Sequence, residues 1–343
     1  MVNEIIKELD PIFEIMGLNY VCIHMEEIKQ ETKESLTALG YDGELFYTQN
    51  FQVFEEYTRT YQKYMLSNPD KTYYFGENDY DFFLVLLMLI IEYKEEFSSI
   101  DHLTNEMINK QIIQICDEVF NLDSDKKSIT TLEEIVLFLN KCNLADKSKW
   151  KLLQIMQQPQ MHLLQLINIV ESDMEAYKKA VKSIKSPLDK LLKQYQILMN
   201  EPKNDIFIEY KNKFAKDAKT YPAMVFPATL LLDEKNSYYG LLIDKLTPNE
   251  KGYSQSKESI LSKLKALSDS SKLEIILALK DKPMYNLEIA KQLGLSAATM
   301  SHHMNVLLYC EFVYVEKKDG KVYYCIQEEN LKAFIKELEK LFL

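Results

Sequence analysis

The 343-residue chain has a formal net charge of −11, and 47% of its residues are hydrophobic, a composition that excludes intrinsic disorder. Glycine and proline are scarce, at 8 and 9 residues, which favours helices over a β-sandwich or barrel because tight turns need these residues. The N-terminal residues lack the basic and apolar regions of a secretory signal, and the longest apolar run, 82–91, is about half of a bilayer span. We therefore expect a cytoplasmic protein with no membrane segment, built from roughly two or three domains.

Residues 1–202 predict one amphipathic helix after another. Apolar residues recur at helical spacing from Ile5 to Phe13 and in most segments as far as Asn200. The segment 79–97 is strongly apolar and is expected at the centre of the core. We interpret residues 1–202 as a helical N-terminal domain.

A β-containing segment is predicted over residues 203–247. Strand patterns occupy 206–210, 223–232 and 238–243, and a polar turn joins the last two. The polar stretch 248–257 is interpreted as a linker.

Residues 258–343 show the pattern of a helix-turn-helix followed by a β-hairpin. A short helix begins with Asn286 as its N-cap, and Gly294 ends it where a positive φ is needed. Ser296 would cap the next helix, and two short helices joined by such a turn are typical of a helix-turn-helix. Strand patterns flank the turn at 319–320. The predicted fold is therefore mainly α, with a helical N-terminal domain that contains a small β segment and a C-terminal winged helix-turn-helix domain.

The second helix of this pair is expected to contact DNA. Met300, Met304 and Leu307 recur at helical spacing and are assigned to the core. No acidic residue lies between Leu295 and Cys310, so nothing in this helix repels the phosphate backbone. The residues assigned to DNA, which are small, hydrogen-bonding or basic, are Ser296, Ala297, Ala298, Thr299, Ser301, His302, Asn305, Lys317, Lys318 and Lys321.

The charge distribution separates the two parts of the chain. Residues 1–255 carry a net charge of −12, whereas residues 256–343 carry 13 lysines against 12 acidic residues, a net charge of +1. Arg59 is the single arginine of the chain, so no arginine of the C-terminal domain can form a bidentate contact with guanine. We therefore predict an A·T-rich double-stranded operator.

The C-terminal segment resembles the ArsR-type (ArsR/SmtB-like) winged helix-turn-helix regulators of bacteria. The resemblance rests on ALSDSSKLEII at 266–276, NLEIAKQLGLS at 286–296 and TMSHHMNVL at 299–307. It also includes residues 322–324 of the predicted β-hairpin, which forms the wing in this family. It covers about a quarter of the chain. It implies a homodimer that binds an operator as a repressor and releases it on a signal, with the helices that flank the winged helix forming the dimer.

The sequence departs from this family at its usual metal sites. Metal sensors of the family carry Cys-x-Cys on the first helix of the pair, where this chain has residues 284–287 without a thiol. Others use ligands on the last helix, where 330–343 holds neither His nor Cys. We therefore expect no metal or cofactor and an effector of another kind. Glu311 stands where a glycine commonly follows the second helix, which predicts backbone strain there.

The long N-terminal region is interpreted as a sensor or partner-docking domain. Its Tyr, Phe and Met residues could line a pocket for a small apolar effector, could bind a protein partner, or could form an ordinary core. P-loop, GxGxxG, GxSxG and HExxH motifs are absent from the sequence, so we expect a regulator and not an enzyme. The alternative is a winged helix that binds protein, fused to a catalytic or ligand-binding helical domain. The lysine-bearing wing and the acid-free helix favour DNA.

Overall fold

In the computed structural model of the protein, the residues described are 4–39, 41–120, 122, 131–200, 211–213, 215–233, 235–246, 257–294, 297–318 and 321–343. The chain divides into two units. Unit 1 contains Met1–Ile28 and Asn50–Thr247, and unit 2 contains Lys29–Gln49 and Pro248–Leu343. No helix in the described ranges has the length and apolar character needed to cross a membrane.

Helices make up most of the described N-terminal region. In chain order they are α1 (Pro11–Ile23), α2 (Met25–Ala38), α3 (Gly43–Asn50), α4 (Gln52–Tyr64), α5 (Pro69–Phe75), α6 (Tyr80–Glu92), α7 (Asn105–Phe120), α8 (Leu132–Leu139), α9 (Asp146–Gln157), α10 (Pro159–Ser183) and α11 (Lys185–Asn200). A 3₁₀-helix, Lys94–His102, follows α6.

The core of unit 1 forms around α6, which is buried along almost its whole length. Asp79 starts this helix, since its side chain accepts a hydrogen bond from the amide of Phe82 over 3.1 Å. Helices α1, α7 and α10 pack against α6. The central position predicted for 79–97 is confirmed for Tyr80–Glu92, whereas residues 94–97 belong to the partly exposed 3₁₀-helix.

The helix predicted from Ile5 begins six residues later, at Pro11. Ile5 instead forms a parallel β-bridge with Thr220. The side chain of Asp10 accepts from the amide of Ile12 over 3.0 Å, and a proline at the first helical position fixes the start of α1.

Unit 1 also contains a three-stranded sheet in the order β1-β3-β2. Its strands are β1 (Lys219–Ala223), β2 (Leu230–Leu232) and β3 (Asn236–Gly240). β1 runs parallel to β3, and β2 runs antiparallel to β3.

The continuous strand predicted over 223–232 is wrong, because the chain leaves the sheet after Ala223. The amides of Met224 and Val225 donate to the buried carboxyl group of Glu14, over 2.7 and 3.0 Å, so they are not available to a strand. The strand predicted over 238–243 begins earlier, at Asn236, and ends at Gly240. The strand predicted over 206–210 lies outside the described residues.

Unit 2 contains a winged helix-turn-helix, which confirms the predicted fold class. Its C-terminal elements are α12 (Lys257–Ser268), α13 (Ser270–Asp281), β4 (Met284–Tyr285), α14 (Asn286–Leu293), α15 (Ala297–Tyr309), β5 (Val313–Lys318), β6 (Lys321–Ile326) and α16 (Glu328–Phe342). The sheet order is β4-β6-β5, with both strand pairs antiparallel.

Candidate nucleic-acid interface

The turn between α14 and α15 depends on Gly294. This residue has φ +67° and ψ 26°, and its amide donates to the carbonyl of Ala290 at the end of α14. A β-carbon at this position would meet no atom within 4 Å, so the left-handed backbone, and not a lack of space, favours glycine. The predicted end of the helix is confirmed.

The start of α14 differs slightly from the prediction. Asn286 is the first residue of the helix, and Tyr285 precedes it as the cap. The side chain of Glu288 accepts from the amide of Tyr285 over 3.2 Å, which closes the first turn. The cap therefore moves by one residue while the helix stays where the sequence predicts it.

Helix α15 is held to the core of unit 2 by one side. Met300, Met304 and Leu307 are completely buried, as predicted from their spacing. They share an apolar cluster with Ile275 and Ile289 of the two preceding helices. This packing fixes the rotation of α15 about its axis, because three side chains on successive turns must remain in the core.

Apart from Ser296, the residues assigned to DNA from the sequence belong to this helix and to the wing. The sequence-assigned residues within α15 are Ala297, Ala298, Thr299, Ser301, His302 and Asn305. Their side chains, and all of Ser296, lie outside the described part of the structure.

The C-terminal end of α15 has the hydrogen bonds of a Schellman motif. The amide of Phe312 donates to the carbonyl of Leu307 over 3.0 Å, and the amide of Glu311 donates to that of Leu308 over 2.9 Å. Glu311 takes φ +58°, in the left-handed region that glycine favours, as its place in the sequence predicts. Asn330 of α16 donates to the carbonyl of Glu311 over 3.2 Å and supports the turn.

Helix α13 is capped by Asp269. Its carboxylate accepts from the amide of Lys272 over 3.0 Å, and the ammonium of Lys272 lies 3.1 Å from it. Partial burial opposes ionisation of Asp269, but these contacts with Lys272 lower its pKa. The cap is therefore ionised at neutral pH.

The wing is the antiparallel hairpin of β5 and β6, which pair from Val313 with Ile326 to Lys318 with Lys321. Lys317 and Lys318 end β5, and Lys321 begins β6. The side chains of these three lysines lie outside the described part. Their backbone positions place three formal positive charges at one end of the hairpin.

The short strand β4, which the sequence analysis missed, ties the wing to the helix-turn-helix. Met284 pairs with Tyr324, and Tyr285 pairs with Tyr323. The rings of Tyr285 and Tyr323 meet edge to face, with centroids 6.1 Å apart. Two residues give no periodicity, so no sequence pattern could have indicated this strand.

Unit 2 also contains residues that the sequence analysis placed in a separate N-terminal domain. Ala38 and Leu39, at the end of α2, pack against the apolar cluster of the winged helix. The hydroxyl groups of Tyr41 and Tyr309 lie 2.6 Å apart. These contacts join positions more than 200 residues apart, and no local motif marks them.

Comparison with known proteins agrees with this geometry. The model of the bacterial regulatory protein arsR family matches residues 269–315, which extend from the cap of α13 into β5. The HTH-type transcriptional regulator CmtR of Mycobacterium bovis is 31% identical over 88 residues, which are 25% of this chain and 75% of the relative. CmtR of Mycobacterium tuberculosis gives the same values. No solved structure matches the chain. The chain belongs to the ArsR family of bacterial regulatory proteins.

Proposed function

We propose that this protein represses transcription by binding operator DNA through α15 and the wing. A helix-turn-helix domain of this family indicates a DNA-binding transcriptional regulator. The observation that carries the proposal is the burial of Met300, Met304 and Leu307, which fixes an acid-free helix with one side in the core; we assign the opposite side, toward its N-terminal end, to DNA. The lysines of the wing then supply phosphate contacts beside it.

We assign base recognition to Ser301, His302 and Asn305, whose groups donate and accept hydrogen bonds at base edges. Arg59 lies in α4 of unit 1, where its largely exposed side chain is 3.3 Å from Glu56. An operator rich in A·T pairs follows, since the bidentate arginine contact with guanine is absent from the C-terminal domain.

The proposed active form is a homodimer. Ile335 and Phe342 on α16 are 61% and 72% exposed, and Leu261 on α12 is 46% exposed. Large apolar side chains on the helices before and after the winged helix support pairing of two copies there, because association would remove them from water. A dimer would present two copies of α15 to a two-fold symmetric operator.

We propose a non-metal effector or a protein partner that acts through unit 1. Among the described residues, no group of three or more His, Cys, Asp and Glu could hold a metal ion. Unit 1 has a cavity of about 100 Å³ beside α6, α7 and β2, lined by apolar Met88 and Leu231 but also by Glu92, Glu118 and Lys235. The cavity is a candidate site for a small effector of mixed polar and apolar character.

Titration of the full-length protein against DNA from upstream of its own coding sequence, at several salt concentrations, tests the proposal. His302→Ala with Asn305→Ala should weaken binding by at least about tenfold, because each base contact contributes about 1–3 kcal/mol. His102→Ala with Asn200→Ala in unit 1 is the matched control and should bind like the wild type. Equal binding by both double variants, or selection of G·C-rich sites from random DNA, would contradict the proposal.

A further inference from the structure

Residues 29–49 of unit 2 form a compact helical hairpin from the end of α2 and from α3. A β-carbon at Gly43 would lie 2.1 Å from the carbonyl oxygen of Lys33, so only glycine lets α3 start this close to α2. Lys33 also lies 2.7 Å from the carboxylate of Glu44. The ring of Tyr47 is buried, with the ammonium groups of Lys29 and Lys33 over it at 5.2 and 5.5 Å. The hairpin is thus held together by its own side chains.

This hairpin docks on the winged helix through its connecting turn. The hydroxyl of Ser262 on α12 donates to the carbonyl of Leu39 over 2.7 Å. Ala38 and Leu39 also contact the apolar cluster that holds α15. The docking therefore combines a directional hydrogen bond with burial of apolar surface.

Tyr41 extends this docking to α15 itself. Its hydroxyl shares a 2.6 Å hydrogen bond with that of Tyr309, the last residue of α15, and their rings meet edge to face at 6.2 Å. The ring of Tyr41 packs on Phe46 at 4.7 Å, and its amide donates to the carbonyl of Leu36 over 3.1 Å. The contacts of its ring and of its backbone amide therefore fix Tyr41 within the hairpin, while its hydroxyl binds α15.

We infer that Tyr41 is a positioning residue of the DNA-binding unit, which holds the C-terminal end of α15 through Tyr309. The inference rests on the proposed function, in which α15 binds the operator. A 13-residue helix is about 20 Å long, so a small shift at Tyr309 moves the opposite end of the helix, where base contacts are assigned. The DNA-binding unit of this chain then includes residues 29–49 as well as the winged helix.

The test uses the full-length protein and the variants Tyr41→Phe, Tyr309→Phe and their combination. Each substitution keeps the ring and removes one hydroxyl, so packing is retained while the hydrogen bond is lost. Tyr64→Phe, on exposed α4 surface in unit 1, is the matched control. Two quantities are measured: amide hydrogen exchange in the free protein, and the apparent Kd for the upstream DNA.

We expect exchange to rise by up to about fivefold in the last two turns of α15, and affinity to fall by a similar factor. The double variant should exchange no faster and bind DNA no more weakly than either single variant, because all three variants lose the same hydrogen bond. Tyr64→Phe should change neither quantity.

Unchanged exchange in α15, faster exchange with unchanged affinity, or faster exchange spread evenly over unit 2 would each overturn the inference. The exchange measurement needs no DNA. If the wild type fails to bind DNA, the proposed function fails, and faster exchange confined to α15 in Tyr41→Phe would still show that this hydroxyl holds the helix.

Discussion

The ammonium group of Lys71 lies 2.5 Å from a carboxylate oxygen of Asp173, and both side chains are buried. The same oxygen accepts from Tyr61 over 2.7 Å and from Asn19 over 3.1 Å. The other carboxylate oxygen accepts from the amide of Leu66 over 3.1 Å. One carboxylate on α10 therefore joins α1, α4 and α5 in the interior of unit 1.

Replacing Asp173 with asparagine should lower the free energy of unfolding of the protein by about 3–5 kcal/mol, because the buried charge of Lys71 loses its partner. Urea denaturation followed by circular dichroism measures this change. Glu175→Gln is the matched control on the same helix, since Glu175 pairs with Lys178 over 2.7 Å at an exposed position. The control should be indistinguishable from the wild type, and equal effects of the two substitutions would contradict the prediction.

The carboxyl group of Glu14 should make stability fall as the pH rises. Burial raises the pKa of Glu14 from 4.5 to about 8, and hydrogen bonds from Met224, Tyr57 and Val225 only partly oppose this shift. Between these two values the folded state binds more protons than the unfolded chain. The stabilising contribution is fully present below pH 4.5 and is lost as the pH rises through 8, by at most about 1.4 kcal/mol per pH unit.

Glu14→Gln isolates this effect, because the amide stays neutral at every pH. The free energy of unfolding of the wild type should fall relative to that of the variant between about pH 5 and pH 8. Glu171→Gln is the control at an exposed position of α10, and its free energy of unfolding should show the same pH dependence as that of the wild type. A constant difference between the wild type and Glu14→Gln would show that Glu14 does not titrate in this range.

Local features of the fold could be predicted from the sequence. Thr131 and Glu134 form a capping box at the start of α8, and a Thr followed three residues later by Glu is the sequence pattern typical of one. Gly294 has the positive φ that ends α14. The burial of Met300 and Met304 follows from helical periodicity alone. Each of these features depends on residues within about one or two helical turns, so the sequence carries the whole signal.

Features set by distant contacts could not be predicted. The chain leaves β1 because two amides bind Glu14, which lies 210 residues earlier, and no pattern near Ala223 records this. The same holds for Tyr41, which meets Tyr309 across 268 residues of sequence. At the candidate site, the helix and the wing form where the sequence predicts them, the individual DNA contacts stay predictions, and the helical hairpin of residues 29–49 was missed. A single sequence shows periodicity along the chain, and it does not show which distant surfaces meet.

Glu311→Gly should stabilise the protein by about 0.5–1 kcal/mol, because glycine adopts a positive φ without the steric cost of a β-carbon. Glu311→Ala is the matched control, since alanine loses the same carboxylate and keeps the β-carbon. We expect the glycine variant to melt at a higher temperature than both the alanine variant and the wild type. Calorimetry of the three proteins measures these melting temperatures. Equal melting temperatures of the glycine and alanine variants would mean that the turn is unstrained.

The lysines of the wing should govern the salt dependence of DNA binding. Replacing Lys317, Lys318 and Lys321 with alanine should reduce the slope of log K against log salt by about 0.9 for each phosphate contact that is lost. Lys147→Ala, on exposed surface of unit 1, should leave the slope unchanged. Anisotropy titrations at four salt concentrations measure the slope. A wild-type slope in the triple variant would place these lysines away from the phosphates.

The apolar surface of α16 should control the oligomeric state. Ile335→Ser with Phe342→Ser should convert a dimer into a monomer, because full burial of each side chain contributes about 1.5–3 kcal/mol to association. Leu132→Ser with Leu137→Ser removes two apolar side chains of α8 in unit 1 that are also more than half exposed, and it should leave the dimer intact. Sedimentation velocity at micromolar concentration distinguishes the two species. If the wild type is itself a monomer, or if only the α8 variant dissociates, the two copies do not pair through α16. An operator-binding dimer would then need a different interface. If the α16 variant alone loses both dimerisation and DNA affinity, pairing through α16 is required for operator binding.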